Sequence, residues 1–75
     1  MASEAEIKEL ISEITGIETE KIQNDQEFKS DLQMDSIAIA DLISSLEEDY
    51  DVIIEQEKAM EIKTVSQLID HVKSL

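Results

Sequence analysis

No proline and only one glycine, Gly16, interrupt the 75 residues of this chain. Those two residues punctuate short strands and tight turns, so a chain nearly without them lacks the turn chemistry of a sheet protein. Its apolar residues recur at intervals of three and four, the period of a helix with one face turned to a core. They are almost all aliphatic, with Phe28 and Tyr50 as the only aromatics. The pattern predicts an all-α fold, a small four-helix bundle of three longer helices and one short, with a long loop between helices one and two. A single domain spanning 1–75 is expected, close to the lower size at which one core folds without disulfides or metals.

Local signals place the elements. Ser3 followed by Glu6 has capping-box spacing, and Ile7, Leu10, Ile11 and Ile14 then follow at helical intervals up to Gly16. From Ile17 to Met34 polar residues surround scattered Ile22, Phe28 and Leu32, which reads as a long loop pinned to the core, with Phe28 as its anchor. Asp35 is suited to cap a second helix that begins at Ser36 and ends around Tyr50. Its expected apolar stripe is Ile37, Ala40, Ile43, Leu46 and Tyr50, broadened by Ile39 and Leu42. Val52, Ile53 and Ile54 have no partner strand and read as a buried connector to a short third helix over 56–61. Thr64 and Gln67 make a second capping box, opening a fourth helix with Val65, Leu68, Ile69 and Val72 on one face. Ile37, Ile43, Leu46, Ile54, Ile62, Leu68 and Val72 are the expected inward set.

Charge narrows the partners. Nineteen acids against six Lys or Arg give a formal net charge of −13. Nucleic acid is excluded as a partner because phosphate binding needs clustered cations, and an anionic membrane surface is equally unfavourable. Basic proteins are favoured, since the field steers them inward. With no Cys and one His, the chain cannot build a thiol site or a zinc site. His71 has no nucleophile arrangement around it and is expected at the surface. No calcium loop with a central glycine is present. The first 20 residues carry acids throughout and no long apolar run, so neither a signal peptide nor a membrane span is expected, and a cytoplasmic monomer is the simple reading.

Chemistry concentrates at Asp35 and Ser36. A serine at a helix start is exposed, and the unpaired backbone N–H groups and positive dipole end there favour a phosphate attached to its hydroxyl. On local sequence alone an ordinary helix-start serine fits equally well.

The wider pattern adds a resemblance. The run Leu32-Gln33-Met34-Asp35-Ser36-Ile37 resembles the Leu-Gly-x-Asp-Ser-Leu attachment signature of acyl carrier proteins, matching at Leu32, Asp35 and Ser36. Leu46-Glu47-Glu48-Asp49-Tyr50 is similar to the family's Leu-Glu-Glu-x-Phe, and Thr64-Val65 resembles the start of its last helix. The resemblance implies a non-enzymatic carrier with a 4′-phosphopantetheine arm from coenzyme A on Ser36, where acyl intermediates of fatty acid, lipid or polyketide biosynthesis ride as thioesters. Asp35 would cap the helix or orient the transferase. The implied partners are a phosphopantetheinyl transferase, acyltransferases and ketosynthases. Gln33 stands where the signature has Gly, Ile37 replaces Leu, and Glu55 stands where Pro is frequent, which predicts a looser connector. Ala38 and Ile39 are apolar where polar residues are common, widening the apolar surface beside Ser36.

Between Asp35 and Glu57 the chain has eight acids and no Lys or Arg. Asp41, Glu47 and Glu48, with Ile37, Ala38 and Ile39, are the expected docking face for basic patches on partner enzymes. Two alternatives stay open from sequence: an aminoacyl or peptidyl carrier, and an unmodified acidic adaptor.

Overall fold

The computed structural model describes residues 2–75, and their elements follow the local signals closely. Helix α1 spans Glu4–Thr15, α2 Ser36–Tyr50, α3 Gln56–Glu61 and α4 Val65–Ser74, with one 3₁₀ turn at Thr19–Lys21 inside the long loop. The only β pairing among the described residues is an isolated bridge between Glu27 and Thr64. Both capping boxes form: Ser3 with Glu6 opens α1, and Thr64 with Gln67 opens α4. Gly16 ends α1 at φ 79°, a left-handed conformation that glycine adopts without steric penalty, and its N–H bonds the Ser12 carbonyl.

The four helices close over one aliphatic core. Ile7 and Ile11 of α1, Leu42 and Leu46 of α2, and Val65, Leu68 and Val72 of α4 are its most fully buried side chains. Ile54 and Ile62 are buried on either side of α3, and Ile43 is half-buried against the core. The Tyr50 ring also lies half-buried against it, and its hydroxyl pKa is raised by desolvation first and by Glu6, Glu9, Asp49 and Glu13 after that.

Three expectations need correction. Ile37 and Ala40 are exposed, Ile37 at 76%, so the buried stripe of α2 runs through Leu42 and Leu46 with Ile39, Ile43 and Tyr50 half-buried beside it. Ala38 and Ile39 turn toward the core from the same stretch of helix, so the covered face is rotated from the one that periodicity alone selects. The 52–54 connector is not buried throughout, because extended backbone alternates its side chains: Val52 and Ile54 point inward and Ile53 is 65% exposed. His71 is half-buried rather than fully at the surface.

The long loop is anchored by buried side chains and by backbone hydrogen bonds. Phe28, Leu32 and Ile22 are buried, as expected for the anchor and its neighbours, and Met34 joins them. Its backbone also supports α4. Val65 and Ser66 N–H groups, unpaired within their own helix, donate to the Gln26 and Asn24 carbonyls at 3.1 and 2.8 Å, and Phe28 N–H donates to the Lys63 carbonyl at 3.0 Å. The Asn24 amide donates to the Glu4 carboxylate at 2.8 Å, which with nearby Lys8 holds that carboxyl below its ordinary pKa. The loop therefore fixes the start of α2 relative to both terminal helices.

Candidate functional site

The approach to Ser36 is built by the end of this loop. Leu32 and Met34 anchor it in the core, and Met34 N–H donates to the Phe28 carbonyl at 2.8 Å. Between them the chain turns through Gln33 at φ 56°. That is the left-handed region, where glycine is unstrained and other residues incur a steric cost. The turn required by the attachment signature is thus present, with glutamine taking the conformation.

Asp35 then caps α2, its carboxylate accepting the Ala38 N–H at 2.8 Å while its carbonyl accepts the Ile39 N–H at 3.0 Å. Ser36 is the first residue of the helix and its side chain is exposed. A first-turn position keeps the hydroxyl clear of the core and beside N–H groups that have no partner within the helix. The residues present fit a phosphate ester there: an accessible oxygen, the positive end of a 15-residue helix and a cap that leaves the first N–H groups open.

The family described as "Phosphopantetheine attachment site" matches the chain over residues 5–72. An acyl carrier protein from Buchnera aphidicola subsp. Schizaphis graminum (strain Sg) is 41% identical over 71 residues, 95% of this chain and 90% of the relative. The chain belongs to the acyl carrier protein family. A second acyl carrier protein, from Trieres chinensis, is 32% identical over 68 residues, covering 91% of this chain and 85% of the relative. The structural likeness is equally broad. A Mycobacterium tuberculosis structure assigned as an acyl carrier protein superposes with a TM-score of 0.90 at 32% identity, covering 97% of each chain. The Thermotoga maritima acyl carrier protein does so at 0.78 and 34% identity, over 93% of this chain and 81% of that one. The protein is therefore a carrier rather than an enzyme, its prosthetic group is phosphopantetheine, and its partners are the enzymes that modify carriers and use them.

Around Ser36 the expected docking residues divide by exposure. Asp35, Ile37, Asp41, Glu47 and Glu48 are exposed on this carrier, whereas Ala38 and Ile39 are half-buried against the core. Ala38 and Ile39 therefore add less free apolar surface than their sequence positions promised. Sequence reasoning also missed two exposed apolar side chains, Ile53 and Met60, the latter at 73%. Met60 is the only apolar residue on the outer side of a six-residue helix, too short for periodicity to reveal it. No helix of the described residues is long and apolar enough to cross a membrane.

Proposed function

We propose that Ser36 carries the 4′-phosphopantetheine arm and that the chain, as one domain over 1–75, shuttles acyl intermediates in fatty acid, lipid or polyketide biosynthesis in the cytoplasm. The observation that carries this reading is the accessible Ser36 hydroxyl at the capped mouth of α2. When attached, the arm supplies a thiol on which an acyl group is held as an activated thioester. The chain's own residues contribute position and recognition. Asp35 fixes the helix start, and the surrounding N–H groups favour the phosphate against the carrier's own negative field.

Docking follows from the same surface. Asp41, Glu47 and Glu48 present exposed carboxylates along α2, and Ile37 gives an apolar contact one residue from the attachment point. A phosphopantetheinyl transferase, acyltransferase or ketosynthase with a basic patch would be steered to this face and registered on Ser36. Incubation with coenzyme A and a phosphopantetheinyl transferase, followed by intact mass, tests the reading. One phosphopantetheine is gained by the wild type and none by Ser36→Ala. An unaltered wild-type mass would instead favour an unmodified acidic adaptor, and loading by an adenylating enzyme with an amino acid would favour an aminoacyl carrier.

A further inference from the structure

A half-open groove of about 430 Å³ lies between the end of α1 and the loop that delivers Ser36. Its apolar wall is Ile14, Ile17, Leu32, Met34 and Ala38. Ala38 is two residues from Ser36, about 200° round the helix, so it faces the groove wall and the core while Ser36 faces out. The groove volume falls within the range of small-molecule sites, and Met34 and Ala38, two residues to either side of Ser36, line it, which places its edge within about 8 Å of Ser36 at no more than about 3.8 Å per residue.

Its polar wall is Thr15, Asp31 and Gln33. The Thr15 hydroxyl is engaged by the Ile11 carbonyl and the Ile17 N–H, and the Asp31 carboxylate accepts the Glu27 N–H at 2.7 Å. Gln33 is exposed, and its side-chain amide makes no hydrogen bond within the described residues, so it is free to meet a group that enters the groove. Gln33 is also held at φ 56°, where glycine would be unstrained. Backbone geometry alone would favour glycine at this position, so any use of glutamine here lies in its side chain.

We propose that this groove is the resting seat of the pantetheine portion of the arm, with Gln33 hydrogen-bonding one of its amides. The inference rests on the reading of Ser36 as the attachment point. Pantetheine alternates amides and a hydroxyl with short methylene runs and a pair of methyl groups. A wholly aliphatic cavity would leave those amides unpaired at a cost, so a mixed wall suits the arm better than it suits an alkyl chain. A seated arm would keep the terminal thiol close to the carrier between encounters.

The test compares apo and phosphopantetheine-loaded protein by NMR, with loading first verified by intact mass and by its loss in Ser36→Ala. In the loaded wild type, nuclear Overhauser contacts are expected from the arm's paired methyl groups to the Ile14 and Ile17 methyls, and the Gln33 side-chain amide resonance is expected to shift. Ile17→Ala, on the far wall of the groove and outside the docking face, is expected to load but to weaken the arm's contacts to Ile14. Gln33→Gly is expected to load, and to fold at least as stably, while the arm's contacts weaken. No mass gain in the wild type overturns the attachment reading and the seat with it. A loaded arm that contacts nothing, or contacts Ile53 and Met60 instead, overturns the seat and leaves the attachment standing. Identical arm contacts in Gln33→Gly and wild type overturn the role of Gln33.

Discussion

The Asp35 carboxylate accepts the Ala38 N–H at 2.8 Å, so the group that closes the end of α2 is also the charged neighbour of the exposed Ser36 hydroxyl. Capping and recognition can be separated by substitution. Asp35→Ala is expected to destabilise the fold by about 1 kcal/mol through loss of the cap, whereas Asp35→Asn retains it, since Asn caps as well as Asp. Thermal melts check that half. If a basic transferase also reads the charge, Asp35→Asn loads several-fold more slowly at unchanged stability, and equal loading rates would confine Asp35 to capping.

Two departures from the family signature yield stability predictions of the same sign. Gln33→Gly relieves a left-handed conformation worth about 1–2 kcal/mol, offset by about 0.5–1 kcal/mol of extra unfolded-chain entropy. A net gain of about 0.5 kcal/mol is expected. Glu55 has φ −64°, the value a proline ring would impose, so the connector takes a proline-compatible geometry without proline. Glu55→Pro should therefore stabilise by about 0.4–1 kcal/mol by restricting the unfolded chain. Denaturant midpoints measured on each variant decide both.

The sequence made the skeleton legible because its signals are local. Ser3 with Glu6 and Thr64 with Gln67 each act within one turn, and Gly16 and Asp35 each mark a boundary by their own backbone or side-chain preference. What was illegible depends on what covers a residue. Ile37 and Ala40 have helical spacing but no neighbour above them, and Ile53 faces outward because the connector is extended. The groove beside Ser36 joins residues from 14 to 38, and nothing in their spacing brings them together. Gln33 was visible as a departure, and its meaning emerged only with its φ of 56°.

Leu46 and Ile37 lie on the same helix with opposite environments, one fully buried and the other 76% exposed. Leu46→Ala removes packed volume at the centre of a small core and is expected to cost about 2–5 kcal/mol, a large part of the stability of a domain this size. Ile37→Ala should change stability by less than about 0.5 kcal/mol, as surface substitutions do. The same variant should slow loading at Ser36. An Ile37→Ala protein that is strongly destabilised, or that loads at the wild-type rate, would contradict the exposed, partner-facing position.

Tyr50 sets an alkaline limit. Its folded-state pKa lies above the ordinary 10.0 because burial disfavours the phenolate and four nearby acids repel it. The neutral ring is the form the fold prefers, so this contribution is fully present below the unfolded pKa. As pH rises past that value the unfolded chain releases the proton first, and stability falls until the folded form titrates as well. Chemical denaturation across this window should show a decline that Tyr50→Phe reduces, and the phenolate absorbance of the folded protein should develop above the unfolded midpoint. A wild-type and Tyr50→Phe pair with the same alkaline slope would remove Tyr50 as its cause.

The charge of −13 bears on the whole molecule rather than on one site. Self-repulsion of that size destabilises the compact state relative to an expanded chain, in which the same charges lie farther apart. Only two ion pairs offset it among the described residues, Lys8 with Glu4 at 4.0 Å and Lys58 with Glu61 at 3.7 Å, both between partly or largely exposed side chains that contribute little. Screening should therefore stabilise the fold instead of weakening it. Raising ionic strength shortens the range of the repulsion, and a divalent cation does so at lower concentration through its double charge. Thermal melts are expected to rise with sodium chloride and to rise further with magnesium chloride at equal molar concentration. Charge reversal on the uncompensated stretch, as in Glu48→Lys, should raise the melting temperature at low salt and reduce the gain from magnesium. Melting temperatures indifferent to both salts would show that the crowded carboxylates are already relaxed in the folded state.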